Sequence, residues 1–126
     1  MARLEAAAWE AADPALLGLC GLRVGQMLGN ERLPAAGCAS VDPAKAENLY
    51  AWDSSPLFTP AERAHLAFTE QFVTSVRDVS ADDVDALLEH ASPAEVHSFV
   101  AALYVVELTQ RVDMVARVVL AGEGHE

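Results

Sequence analysis

Glu62 and His65 stand in a Glu-x-x-His spacing, which on a helix sets a carboxylate and an imidazole one turn apart, as in the metal sites of carboxylate-rich helix bundles. Such a site needs a second copy of the motif and further carboxylates, and Glu95 precedes His97 by only two positions. Glu62 also closes Thr59-Pro60-Ala61-Glu62, where the Thr oxygen takes a free helix N–H and the Glu reaches back to the cap. The spacing therefore reads as helix punctuation beside a surface or interhelix histidine. His90 and His97 show no metal-ligand spacing either, and no metal or cofactor is assigned. Glu107 lies inside the apolar run FVAALYVVELTQR, where an unpaired carboxylate would have a raised pKa and work as a general acid or base. Arg111, one turn later, offers the alternative of an ordinary helix-surface ion pair. The chain has no Gly-x-Ser-x-Gly elbow, phosphate-binding glycine loop or Cys-x-x-Cys, so hydrolase, nucleotide and zinc readings have no foothold.

Gly18, Gly21, Gly25 and Gly29 recur at three- and four-residue steps along one helical face. Each interior glycine costs about 1 kcal/mol of helix propensity against alanine, so something must offset it. Close approach of a neighbouring helix is one explanation. A pocket opened by missing side chains is the other, with Gly18, Arg23, Gln26 and Asn30 as the ligand-binding residues around it.

Consistent helix punctuation positions these residues. Asp13-Pro14 and Asp42-Pro43 each pair an N-cap with a proline at the first helical position, and Gly29 can close the helix that Pro14 opens. Ser92-Pro93-Ala94-Glu95 repeats the capping box, and Ser80 caps a shorter helix. The pattern predicts an all-α chain of about six helices, near residues 2–11, 14–28, 43–51, 60–77, 81–90 and 93–120. The last is apolar around most of its circumference, which calls for a core or an oligomer interface. Glu107, Arg111 and Asp113 argue against a membrane span there, and 14–28 is too short for one.

At 126 residues the chain suits a single domain, 1–126, with a core from 14 to 120 and AGEGHE as a loose tail. Hydrophobic residues make up 52% but aromatics only 6%, so Ala, Leu and Val must fill closely packed helices. A net charge of -11 repels phosphate backbones and anionic lipid, which excludes nucleic acid as an expected partner. The acids from Asp78 to Glu95 form a solvated face or a partner-docking one. Cys20 and Cys38 are too few for a disulfide framework; they read as buried thiols or as a rearranged reactive pair. With no visible export signal, the expected location is the cytoplasm.

LRVGQMLG, followed by YAWDSSPLFTPAERAHLAFTEQF, resembles the carboxymuconolactone decarboxylase and alkylhydroperoxidase-D-like family over roughly residues 14 to 120. VVELTQR is similar to that family's apolar-x-Asn-x-x-Asn-Arg stretch, with Glu107 and Gln110 at the Asn positions. The resemblance implies an all-helical fold whose protomers trade helices into a trimer or hexamer. It also implies a reactive unit Glu-x11-Cys-x2-Cys-x3-His, whose positions fall on Gly18, Asn30, Leu33 and Gly37. All four are substituted, so neither the attacking nor the resolving thiol of a two-cysteine peroxidase is in place. The leading expectation is a homologue without thiol peroxidase activity that binds a small organic molecule beside Gly18, Arg23, Gln26 and Asn30. An active non-redox enzyme of decarboxylase or isomerase type is the alternative, with Glu107, Glu31 or a histidine moving the proton. An oligomeric scaffold or partner-binding protein is the third.

Overall fold

Proline, aspartate and capping-box signals set the helix starts. The computed structural model describes residue 7, residues 12–30 and residues 41–123. The predicted helix near 2–11 lies outside these apart from residue 7, as do Glu31, Leu33, Gly37 and Cys38. Among the described residues the structure is helical with no strand. Helix α1 (Pro14–Leu28) opens under Asp13, whose carboxylate accepts from the N–H groups of Ala15 and Leu16. It closes at Gly29, whose φ of 76° is the left-handed conformation that a side chain disfavours. Helix α2 (Pro43–Glu47) opens under Asp42. Helix α3 (Pro60–Thr74) opens with the Thr59/Glu62 box, and α4 (Ala81–Leu88) with a Ser80/Asp83 box. Helix α5 (Pro93–Glu123) starts at Ser92, where Ser92 and Glu95 exchange side-chain and backbone hydrogen bonds.

Two predicted helices break early for local reasons. Asn48 turns its side-chain amide back onto the Ala44 carbonyl at 2.8 Å, so α2 ends and a 3-10 turn covers Leu49–Ala51. Ser75 is extended, ending α3 at Thr74 before a second 3-10 turn at Val76–Asp78. α4 stops two residues short of its predicted end. The last helix overruns its own, reaching Glu123 and taking in the start of the stretch expected to be a loose tail.

α1 packs against both α3 and α5, and α4 leans on α3 and α5. Its buried residues are Leu17, Gly18, Leu19, Cys20, Gly21, Val24 and Gly25, so little of its circumference meets solvent. Leu49, Trp52, Phe58, Leu66, Phe68, Phe72, Leu87, Phe99 and Leu103 complete the core around it. Arg63 gathers the connection into α3 by donating to the carbonyls of Asp53, Ser55 and Phe58, which gives the SPLFTPAER stretch a structural reason for its wording. The first half of α5 supplies core residues through Val106 and Gln110, whereas Val112, Val115, Val118, Val119 and Leu120 of its second half are exposed. Among the described residues no helix is long and apolar enough to cross a membrane.

Close approach accounts for part of the glycine face. A Cβ on Gly25 would sit 2.7 Å from the Asn30 backbone oxygen and 3.0 Å from Gln110 Oε1, inside van der Waals contact with backbone. Gly25→Ala should therefore lower stability in urea melts. Overpacking of about 1–3 kcal/mol opposes a helix-propensity gain of about 1 kcal/mol. Gly29→Ala meets no neighbour within 4 Å, and its loss of about 1 kcal/mol should come from the left-handed backbone alone. A Gly25→Ala variant as stable as the parent would refute the packing account.

Candidate functional site

At the C-terminal end of α1 the helix turns away at Gly29, and α2 with its following 3-10 turn stands opposite. The space between them is a half-open cavity of about 800 Å³. Leu22, Gly25 and Gly29 of the first segment and Val41, Pro43, Ala46 and Tyr50 of the second make its walls mainly apolar. Arg23, Gln26, Asn30 and Glu47 supply the polar groups. Three of the four sequence-predicted ligand residues, Arg23, Gln26 and Asn30, are thus brought to one wall. Gly18 is buried but is not among the residues lining this cavity.

Arg23 does not offer a free charge. Its Nε and Nη2 donate to Glu70 Oε2 at 2.8 and 2.7 Å, and Nη1 donates to Gln26 Oε1 at 3.0 Å. Trp52 Nε1 adds a third bond to the same Glu70 oxygen at 3.0 Å. Glu70 therefore ties α1, α3 and the turn after α2 to one carboxylate, and it pairs the one cationic side chain that lines the cavity among the described residues. Asn30 is 4% exposed, and its Oδ1 accepts from Arg117 Nη2 of α5 at 2.6 Å.

Gln110, on α5, reaches α1 across the glycine face and donates from Nε2 to the Gly21 carbonyl at 2.8 Å. Its Oε1 is buried with no hydrogen-bond partner among the described residues, an expensive state for an amide oxygen. The same oxygen crowds the position a Gly25 Cβ would take, so Gly25 is small because Gln110 and the Asn30 carbonyl lie over it, while Gly21 meets Gln110 through its backbone carbonyl.

Glu107 is not part of this cavity. It accepts from Arg111 Nε at 2.8 Å and lines a separate open groove with Tyr104 and Arg77. That is the i,i+4 pair which the spacing allowed, and it leaves the carboxylate matched rather than isolated in apolar surroundings. Glu31 falls outside the described residues. Glu62 serves its capping box and also receives Lys45 Nζ on both carboxylate oxygens at 2.8 Å. Partial burial pushes its pKa up, but the hydrogen bonds from Lys45 and from the Thr59 N–H prevail and hold it below the usual carboxylate range. No group of three or more His, Cys, Asp or Glu among the described residues has an arrangement that could hold a metal ion.

No protein-family model, curated protein or solved structure matches this chain. The side chains at the cavity are therefore what bears on function.

Glu70 and Trp52 carry the geometry of the site, yet neither belongs to a motif. Their one sequence signal was an acid at position 70 with no basic residue three or four positions away on its own helix, which leaves it seeking a partner elsewhere. Cys20, in contrast, is fully buried. Burial pushes its thiol up to about 12 from an ordinary 9.0, the Glu62 charge adds to this, and a Thr69 hydrogen bond opposes it. In a Cys38→Ser background, Cys20 should react with a disulfide reagent near pH 8 about a thousandfold more slowly in the folded protein than in urea. Rapid labelling of the folded form would restore a reactive thiol to this site.

Proposed function

We propose that the chain is a carboxymuconolactone decarboxylase and alkylhydroperoxidase-D-like helical protein without thiol peroxidase activity, and that it binds a small organic molecule in the cavity between α1 and α2. The observation that carries the binding reading is the convergence of Arg23, Gln26 and Asn30 on one wall of an otherwise apolar space of about 800 Å³, a size suited to a small ligand. Because Glu70 neutralises Arg23 and Glu47 adds a negative charge at the rim, the walls favour a neutral, largely apolar ligand over an organic acid. Gln26 is exposed enough to supply one orienting hydrogen bond. A proton-transfer enzyme draws less support: Glu107 lies on another surface and is paired, and the arginine here is already matched.

Thermal melts against a panel of small neutral molecules and carboxylic acids test this directly. A fitting neutral ligand should raise the melting temperature saturably, by the equivalent of about 2.7 kcal/mol at a hundredfold excess over Kd. Ala46→Phe, which fills the cavity from α2, should remove the shift while leaving the fold intact. Stabilisation confined to acids, or a shift that survives Ala46→Phe, would sink the reading, and thiol-dependent turnover of an alkyl hydroperoxide would sink the other half of it.

The second half of α5 supports a homo-oligomer, a trimer or hexamer, as the assembly in which this site works. Val112, Val115, Val118 and Leu120 are 46%, 64%, 73% and 64% exposed, a run of large aliphatics that a lone protomer leaves in water. Light scattering on the eluting protein should give three or six times the 13.4 kDa chain mass, and Val118→Asp should reduce it. A parent protein running at the mass of one chain contradicts the assembly.

A further inference from the structure

A second concavity lies at the other end of α1, about 22 Å along a 15-residue helix from the first. It holds about 250 Å³, and it is walled by Asp13 before α1, Ala61 and His65 of α3, His90 after α4, and Glu95 and Phe99 of α5. His65 is 3% exposed. Its Nδ1 lies 2.7 Å from the Ala61 carbonyl, and because a carbonyl only accepts, Nδ1 carries the hydrogen. Nε2 is then a bare acceptor, and it makes no hydrogen bond to the protein among the described residues. Phe99 meets the imidazole edge-on at 4.7 Å and 89°, which holds the ring in this orientation. Burial pulls the His65 pKa below the ordinary histidine value; the Ala61 bond and the Asp13 charge oppose this, and His90 reinforces it. The ring is accordingly neutral near neutral pH, with its lone pair available.

The rim repeats the pattern. Asp13 commits Oδ1 to the Ala15 and Leu16 N–H groups, and Glu95 commits Oε1 to the Ser92 N–H, so each keeps a second carboxylate oxygen open. No Lys or Arg lines the cavity among the described residues. The N-terminal ends of α1 and α5 oppose a cation here, and the cap carboxylates Asp13 and Glu95 offset them. Three acceptors thus surround a small space with an aromatic floor. A primary ammonium has three donors, no acceptor and a positive charge, which is the complement of that arrangement. We propose that this cavity, with His65 Nε2 at its base and Asp13 and Glu95 at its rim, is a binding site for a small primary alkylamine. The site is separate from the cavity at α2 and does not depend on the reading given to it.

Titration of the full-length protein with n-butylammonium chloride, followed by the His65 imidazole NMR signals and by the melting temperature, is the decisive experiment. Saturable movement of the His65 signals with a rise in melting temperature is expected, and sodium butyrate and sodium chloride at equal concentration should produce neither. Asp13→Asn with Glu95→Gln keeps both helix caps supplied with oxygen acceptors but removes the charges, and should weaken butylammonium binding by about tenfold or more. Binding should also weaken as the pH falls through the lowered His65 pKa, since protonation of Nε2 removes an acceptor and puts a positive charge beside the ammonium, in a space whose other titratable groups are Asp13, His90 and Glu95. Absence of a saturable His65 response overturns the proposal. So does an equal response to butyrate, or unchanged affinity in the doubly substituted protein, whose fold the melts themselves report.

Discussion

The burial of α1 on nearly every side is the constraint from which the rest follows. A helix that must be approached closely by both α3 and α5 cannot carry bulky residues all round, and Gly21 and Gly25 lie where Gln110 and the Asn30 carbonyl come over it. At Gly25 the helix-propensity cost is offset by close packing, since the Asn30 carbonyl and Gln110 leave no room for a Cβ. The cavity runs along the last two turns of α1, from Leu22 to Gln26, and opens out at Gly29, whose left-handed backbone ends the helix opposite α2. The glycine face and the cavity are therefore neighbours with different causes: the first is packing, the second is the geometry of a helix end.

What could be read from sequence divides along the same line. Helix starts were legible because Asp13-Pro14, Asp42-Pro43, Thr59-to-Glu62 and Ser92-to-Glu95 act through local hydrogen bonds, and each of these caps is present. Helix ends at Asn48 and Ser75 were not, since a side-chain amide folding back and one extended residue leave no periodic signal. The wall formed by Arg23, Gln26 and Asn30 was legible as three polar residues spaced along or just past one helix. Its electrostatics were not, because Glu70 lies 47 positions from Arg23 and the pairing exists only once α3 lies against α1. The Glu107–Arg111 pair was legible because it is local: a four-residue spacing on one helix brings the guanidinium within reach of the carboxylate.

Carboxylate pairing separates the functional possibilities of the two ends of α1. At the α2 end, Glu70 Oε2 takes both the Arg23 guanidinium and the Trp52 indole, so among the described residues lining the cavity Glu47 is the one charge left without an ion pair. At the Asp13 end, the carboxylates cap their own helices through one oxygen and meet no guanidinium or ammonium among the described residues. One helix thus presents a neutral, roomy space at its C-terminal end and a small acceptor-lined one at its N-terminal end. The chain's net charge of -11 makes the second arrangement unsurprising in sign, but the placement of His65 is specific.

The long α5 carries both core residues and the exposed aliphatics. Its first half is a core helix, contributing Phe99 to the small cavity, Leu103 to the centre and Gln110 to the glycine face of α1. Past Gln110, Arg117 still reaches back to Asn30, so the cavity wall at α2 is anchored from the helix that carries the exposed aliphatics. A neighbour covering Val115 and Val118 would restrict α5 next to that anchor, and through Arg117 and Asn30 it would bear on the cavity without touching any ligand within it. Ligand occupancy and assembly would then be linked through one helix, each favouring the arrangement of α5 that suits the other.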